Sequence, residues 1–491
     1  GHILGLRHNF KGSLGVSYEC TQNMTCSAEQ GLTASVMDYV PMNIPSAGVE
    51  KVHLFSPVVG AYDKLAIQYG YMNLDSSLED ENGVPAIPDM LRDILEKANH
   101  YQNCLDGELE LGADPLCAAY DLTSDPLRYY EDQILLLQKL QSSMFDKSVG
   151  PGEPYWQYGD IVASMMSNLF SIQRRLTYWV GGMNVSYVHR PYSTAPGVAQ
   201  TTSQRSVRTI REKDQKRAMK LLLDLSRPGG KGLLPSPDRL KDLPYFDEMD
   251  DSLVPYNLKA DIRNIQDSIM KKLLETSTLR NIELSSDFGG LGVDTFLDDV
   301  VYQVLGSYEG KWITQSAPED WDLQMFLVQG LVQKREDELA ESLQPQLLIA
   351  MKSALRAVEG GLERLGDADA PAAWTRCNSP LSETCVCFGH ARFWSGKDWA
   401  SNVSSRGSVE CNAETFGVKS DVPDPVCECL RGPSAEDPLR THLLELKNKL
   451  KKHAKKNGVK LSQKSAATKQ GLVMSFFLAL AWALFTPAVR R

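Results

Sequence analysis

At 491 residues the chain has room for several domains, and 42 % apolar against 23 % charged residues describes a chain with a packed core rather than a disordered one. The formal net charge of −10 argues against a nucleic-acid partner, which asks for a basic face. The ten cysteines fall in local clusters, which suits short disulfide-closed loops in an oxidising compartment.

Residues 1–75 carry the most specific chemistry. The first eight residues read G-H-I-L-G-L-R-H, in register with the second half of the zinc motif H-E-x-x-H-x-x-G-x-x-H. His2 and His8 are therefore candidate metal ligands, and Gly5 stands between them. Histidines one helical turn apart share a face and reach one ion. A glycine three residues after the second His ends that helix, because it accepts a left-handed backbone at low cost. The chain then turns back and delivers His8. The first His and the general-base Glu of the motif would stand just before Gly1. The chain as given lacks both, so it is expected to be a fragment that hydrolyses nothing by itself. Further on, Ser35-Val36-Met37-Asp38-Tyr39 has the form S-x-M-x-Y, with Met37 29 residues after His8. In the metzincins that this pattern resembles, the Met is an apolar floor under the imidazoles and the Tyr approaches zinc or the oxyanion, which makes Met37 and Tyr39 candidates for those roles. Asn9 follows the third motif His and is a lesser candidate for hydrogen bonding or calcium.

The following elements read mostly as helix. Residues 76–90 are acidic and contain Pro85 and Pro88, a loop or linker. Pro126 to Phe145 and Lys213 to Leu225 each carry an apolar stripe at helical spacing, and Trp321 to Leu365 reads likewise. Tyr178 to Arg190 reads as a strand or hairpin about Gly181-Gly182, and 191–210 as a Ser/Thr-rich loop. Residues 376–430 hold six cysteines and little periodicity, as in a disulfide-stapled module. Cys385 and Cys387 near His390, with Cys427 and Cys429, could be drawn as a second zinc site; the oxidising context favours disulfides. His53, His100, His189, His390, His442 and His453 lack partner spacing and are expected to be structural or exposed. Residues 431–470 read as a basic linker, with nine lysines and no acid over 447–469. Residues 471–491 contain an uncharged apolar run, the short end of a transmembrane helix or a lipid-anchor signal. Sequons at Asn23, Asn184 and Asn402 agree with a secretory route.

The strings GHILGLRHNFKGS, ASVMDYVP and SPVVGAYDKLAIQYGY resemble the EcxA-like Met-zincin family of large secreted metzincins, and DPLCAAYDLTSDPLRYYEDQ and YWVGGMNVSYVHR are similar to its helical region. The resemblance covers roughly residues 1–330. It implies an α+β fold, mostly α in this chain. The C-terminal half of a metzincin catalytic domain (1–75) would be followed by a helical family-specific region (76–375), the cysteine module (376–430), the linker (431–470) and the anchor (471–491). It implies Zn2+ as cofactor, a protein or peptide substrate, and peptide-bond hydrolysis by zinc-activated water at the cell surface or outside the cell. Membrane contact would run through the C-terminal segment. The alternative reading is a non-catalytic cell-surface binding protein derived from a metzincin.

Overall fold

The computed structural model describes residues 1–73, 89–185, 207–228, 234–235, 244–247, 252–376, 384–431 and 438–456, except 47, 99, 154–155, 317, 336–341, 366–372, 395–398, 413–414 and 417–425. The chain opens with short 3-10 turns at His2–Leu4 and Ser13–Gly15, then α1 (Tyr18–Thr21) and α2 (Met24–Gln30). Both helices start where the sequence supplies a cap. The Ser17 side chain accepts from Cys20 N, and Asn23 accepts from Thr25 N and Cys26 N. The disulfide Cys20–Cys26 ties the pair together.

A loop then leads to α3 (Ala61–Tyr71). Two features press this helix onto the Ser35–Tyr39 segment. Asp63 accepts from Ser35 Oγ at 2.6 Å and from Val36 N at 2.7 Å. Gly60 lies so close that a β-carbon there would stand 1.9 Å from Ala34 O. No side chain fits at that approach, so the glycine is required sterically.

Next come α4 (Asp89–Ala98) and α5 (Asp106–Leu111), the latter enclosed by the disulfide Cys104–Cys117. A long helical core follows: α6 (Pro126–Ser148), α7 (Trp156–Thr177), α8 (Glu212–Leu225), α9 (Leu258–Leu273), α10 (Thr276–Ser286), α11 (Val293–Leu305), α12 (Pro318–Arg335) and α13 (Gln344–Arg364). The periodic stripes read from sequence supply most of its inner faces, although Leu140 at the end of the α6 stripe is exposed. Leu127, Tyr130 and Ile134 of α6 are buried with Val162, Met166 and Leu169 of α7 and with Ala218 and Leu222 of α8. The stretch Trp321 to Leu365 is two helices rather than one.

Of Tyr178 to Arg190, read as a strand or hairpin about Gly181-Gly182, residues 178–181 form a turn after α7, and the strand that begins at Met183 pairs with a distant segment. β1 (Met183–Val185) pairs antiparallel with β2 (Val207–Thr209). Gly181 takes the turn off α7 at φ 71°. Residues 186–190 lie outside the described residues. A second two-stranded ribbon joins β3 (Pro244–Asp247) to β4 (Ser252–Pro255).

The cysteine-rich module is a sheet. β5 (Ala373–Arg376), β6 (Thr384–Trp394), β7 (Trp399–Glu410) and β8 (Val426–Arg431) order as β5–β8–β6–β7, with antiparallel neighbours. The disulfides Cys387–Cys429 and Cys411–Cys427 pass through a small core with Phe393, Val409 and Phe416. Cys387, Cys427 and Cys429 are thus disulfide-bonded, against a second zinc site built on them.

The structure corrects the linker expectation for part of 431–470. Pro438–Lys456 forms α14, which packs on α12 and α13. Leu439, Leu443, Leu446 and Leu450 recur at helical spacing and are buried in the main core. The lysines lie on the other faces, where Lys447 and Lys451 reach Glu359 at 3.4 and 2.7 Å. Residues 457–491, including the expected anchor, lie outside the described residues. Among those described, no helix is long and apolar enough to cross a membrane.

Candidate metal centre

The Gly1–His8 segment folds back on itself as the motif spacing requires. Gly5 caps the His2–Leu4 turn in the left-handed region at φ 80°, and its N–H donates to His2 O. Leu6 N then donates to Gly1 O at 3.2 Å. This reversal brings the His2 and His8 rings together edge-on, with centroids 4.9 Å apart.

Each ring is held by its Nδ1. His2 Nδ1 lies 2.9 Å from Leu6 O. His8 Nδ1 lies 2.6 Å from Asp106 Oδ1. A carbonyl and a carboxylate only accept, so the proton sits on Nδ1 in both neutral rings and Nε2 carries the lone pair. That is the tautomer in which imidazole ligates a metal through Nε2, with the far nitrogen anchored outside the coordination sphere. The His8 hydrogen bond, ahead of other causes, holds the Asp106 carboxyl below its usual range.

Tyr39 lies against His8, and Met37 lies against Gly1. Tyr39 Oη is 2.9 Å from His8 Nε2, and the two rings meet edge-on at 4.7 Å. Met37 is buried beneath Gly1: a β-carbon on Gly1 would come within 2.1 Å of its Sδ. The turn carrying them is fastened at both ends. Met37 N donates to Ser35 Oγ, and Met37 O accepts from Asn9 N at 3.1 Å. Asn9 is a buried connector. Its Nδ2 donates to Gln102 O, and its Oδ1 accepts from Lys11 N and Cys104 N.

Below the turn, Asp38 accepts from Ser13 N at 2.7 Å and Asp121 from Ser13 Oγ at 2.9 Å. Burial raises both carboxyls, and the charge of Asp38 adds to the rise at Asp121. Tyr120 N donates to Tyr39 O, and the ring of Tyr120 lies 6.2 Å from that of Tyr39. Tyr120 is exposed and holds φ 60°, an unusual backbone for an aromatic residue.

Sequence reasoning missed Asp106, Tyr120 and the buried pair Lys11–Asp114, whose Nζ and Oδ2 lie 2.7 Å apart. Lys11 Nζ also donates to Gln102 Oε1, Asn184 Oδ1 and Val185 O. Their partners lie 81 (Tyr39 to Tyr120) to 174 residues away, and no local pattern marks them. Of the remaining histidines, His53 bonds Ser27 Oγ and His442 bonds Gln324 Oε1, both structural placements.

The residues present fit zinc as two imidazoles anchored through Nδ1, the Nε2 of His8 meeting the Tyr39 hydroxyl, which a bound ion would displace. Among the described residues no group of three or more His, Cys, Asp or Glu could hold a metal. Two ligands make an incomplete set by themselves.

A family model described as Met-zincin matches residues 1–309, which span the His2–His8 segment, the Met37 turn and the helices through α11. No curated protein and no solved structure matches. The match extends to the family and not to the EcxA-like group within it. It implies a metallopeptidase-like fold with zinc dependence, as the two anchored imidazoles would suit, and over well more than half of its length the chain belongs to the Met-zincin family.

Proposed function

We propose that the chain is the zinc-binding and helical part of a metalloendopeptidase acting on extracellular proteins or peptides. The observation that carries this reading is the pairing of His2 and His8, rings 4.9 Å apart and each with Nδ1 anchored. His2 and His8 would hold the ion, and a bound zinc would supply Lewis acidity for peptide hydrolysis. Met37 keeps an apolar floor under the segment. Tyr39 Oη, within hydrogen-bond reach of His8 Nε2, is placed to turn to a developing oxyanion. Tyr120, beside Tyr39, offers an exposed aromatic wall to a substrate chain.

The disulfides Cys20–Cys26, Cys104–Cys117, Cys387–Cys429 and Cys411–Cys427 support an oxidising location at or outside the cell surface. Asn23, in a sequon, is exposed.

The test compares residues 1–491 with a chain in which His-Glu-x directly precedes Gly1. Zinc-loaded, the extended chain should cleave casein, lose that activity with a chelator or with His8→Ala, and exceed the unextended chain by orders of magnitude. Zinc binding without cleavage by the extended chain would overturn the protease reading and favour a surface-binding role.

A further inference from the structure

We propose that Asp106, outside the zinc motif and at the first turn of α5, is the positioning residue that fixes the tautomer and orientation of His8 for the metal. The inference rests on the zinc reading above and assigns it a residue that the motif does not contain.

The geometry is direct. Asp106 Oδ1 accepts from His8 Nδ1 at 2.6 Å, across 98 residues of sequence. A free neutral imidazole prefers its proton on Nε2, which would block the ligating nitrogen. An acceptor at Nδ1 reverses that preference and holds the ring against rotation about its Cβ–Cγ bond. Tyr39 Oη then has a lone pair to donate to at Nε2.

The delivery of Asp106 is fixed independently of His8. Phe10 N donates to Cys104 O at 3.0 Å, and Cys104 N donates to Asn9 Oδ1 at 3.1 Å. These bonds lock the backbone just before α5 to the backbone just after His8. The disulfide Cys104–Cys117 closes the segment from the other side. Leu105 N donates to Glu108 Oε2 at 2.7 Å and sets the first turn of α5. Arg7 reaches the second carboxylate oxygen of Asp106 only at 3.5 Å, so Oδ1 has His8 as its close partner. Removing the Asp106 carboxylate should therefore leave α5 in place and free the imidazole. The helical region would contribute to the metal centre through this contact, which gives a physical reason for the helices to follow the zinc motif in the same chain.

The experiment uses residues 1–491 with 15N-labelled histidine, a His8→Gln variant to assign the His8 signals, and the variants Asp106→Ala and Asp106→Asn. Long-range 1H–15N spectra of the metal-free protein should show His8 as the Nδ1–H tautomer in the parent. Asp106→Ala should move it toward Nε2–H, with the His53 and His442 signals unmoved. Asp106→Asn keeps an acceptor oxygen and should retain part of the parental tautomer. Co2+ titration, with His8→Gln as the blank, should weaken about 10- to 100-fold in Asp106→Ala and less in Asp106→Asn. An unchanged tautomer in Asp106→Ala overturns the proposal, as does a changed tautomer with unchanged Co2+ affinity. Absence of His8-dependent Co2+ binding in the parent overturns the zinc reading itself, and the tautomer spectra tell that failure from the first.

Discussion

At the residue scale, Tyr39 is the side chain through which the Met37 turn touches the metal centre. Its hydroxyl meets His8 Nε2, its ring packs edge-on to His8 and Phe10, and its carbonyl is held by Tyr120 N. In a protease with the complete motif, Tyr39→Phe keeps the ring and removes the one donor. The expected result is a fall of about 100-fold in kcat with KM little changed, because a donor used only by the oxyanion acts on the transition state. Steady-state kinetics on a peptide substrate checks it, and an equal loss in KM alone would assign Tyr39 to substrate binding. The approach of His2 to His8 and the left-handed cap at Gly5 were legible in the sequence, because both arise from local spacing. Asp106 was not legible. Its partner stands 98 residues away, and only the folded Cys104 backbone brings the two together.

At the scale of elements, helices with a clear apolar stripe could be read from periodicity, as α6 and α8 were. α14 could not, because six lysines crowd its second half from Lys447 to Lys456 and the charge masks the leucine stripe. The disulfide sheet escaped for a different reason. β7 reads Trp399 to Glu410 with Ser, Asn, Gly and Arg between its few apolar residues, so strand alternation is faint, and cysteines rather than aliphatic residues fill much of its core. α14 also carries a pH-dependent group. His442 is stacked on Trp321, donates to Gln324 Oε1, and burial pushes its pKa down to about 4. The ring is therefore neutral in the folded chain, whereas the unfolded chain takes a proton near pH 6.5. Stability from this site is complete above about pH 6.5 and is lost as pH falls toward 4, by about 3 kcal/mol in all. Denaturant melts across that window should show the loss, and His442→Gln should flatten it. An unchanged slope in the variant would remove α14 from the acid-sensitive part of the fold.

At the scale of the whole molecule, the His2–His8 segment is not a separate unit resting on the helices. Lys11, three residues after His8, is buried against Asp114, and the same ammonium bonds Asn184 Oδ1 and Val185 O of β1. One cation thus joins the metal segment, the Cys104–Cys117 loop and the strand that leaves α7. Asp114→Ala should cost about 3–5 kcal/mol, since it strands a buried charge and also frees Leu116 N and Val185 N. Lys11→Met combined with Asp114→Leu should recover much of that loss in the same melts, because an apolar pair leaves no unpaired charge. No recovery would mean that the pair is needed for the backbone bonds alone. The family match stops at residue 309, yet α12, α13 and α14 bury side chains in the same hydrophobic core as α7 to α11. The later helices complete that core rather than form one of their own.

The most direct measurement for the central claim is zinc K-edge absorption on residues 1–491 loaded with one equivalent of zinc. Imidazole scattering with Zn–N near ~2.0–2.1 Å, abolished in the double variant His2→Gln, His8→Gln, is the result expected if these two rings hold the ion. The same spectrum and the same affinity in the double variant would place the zinc elsewhere and contradict the account.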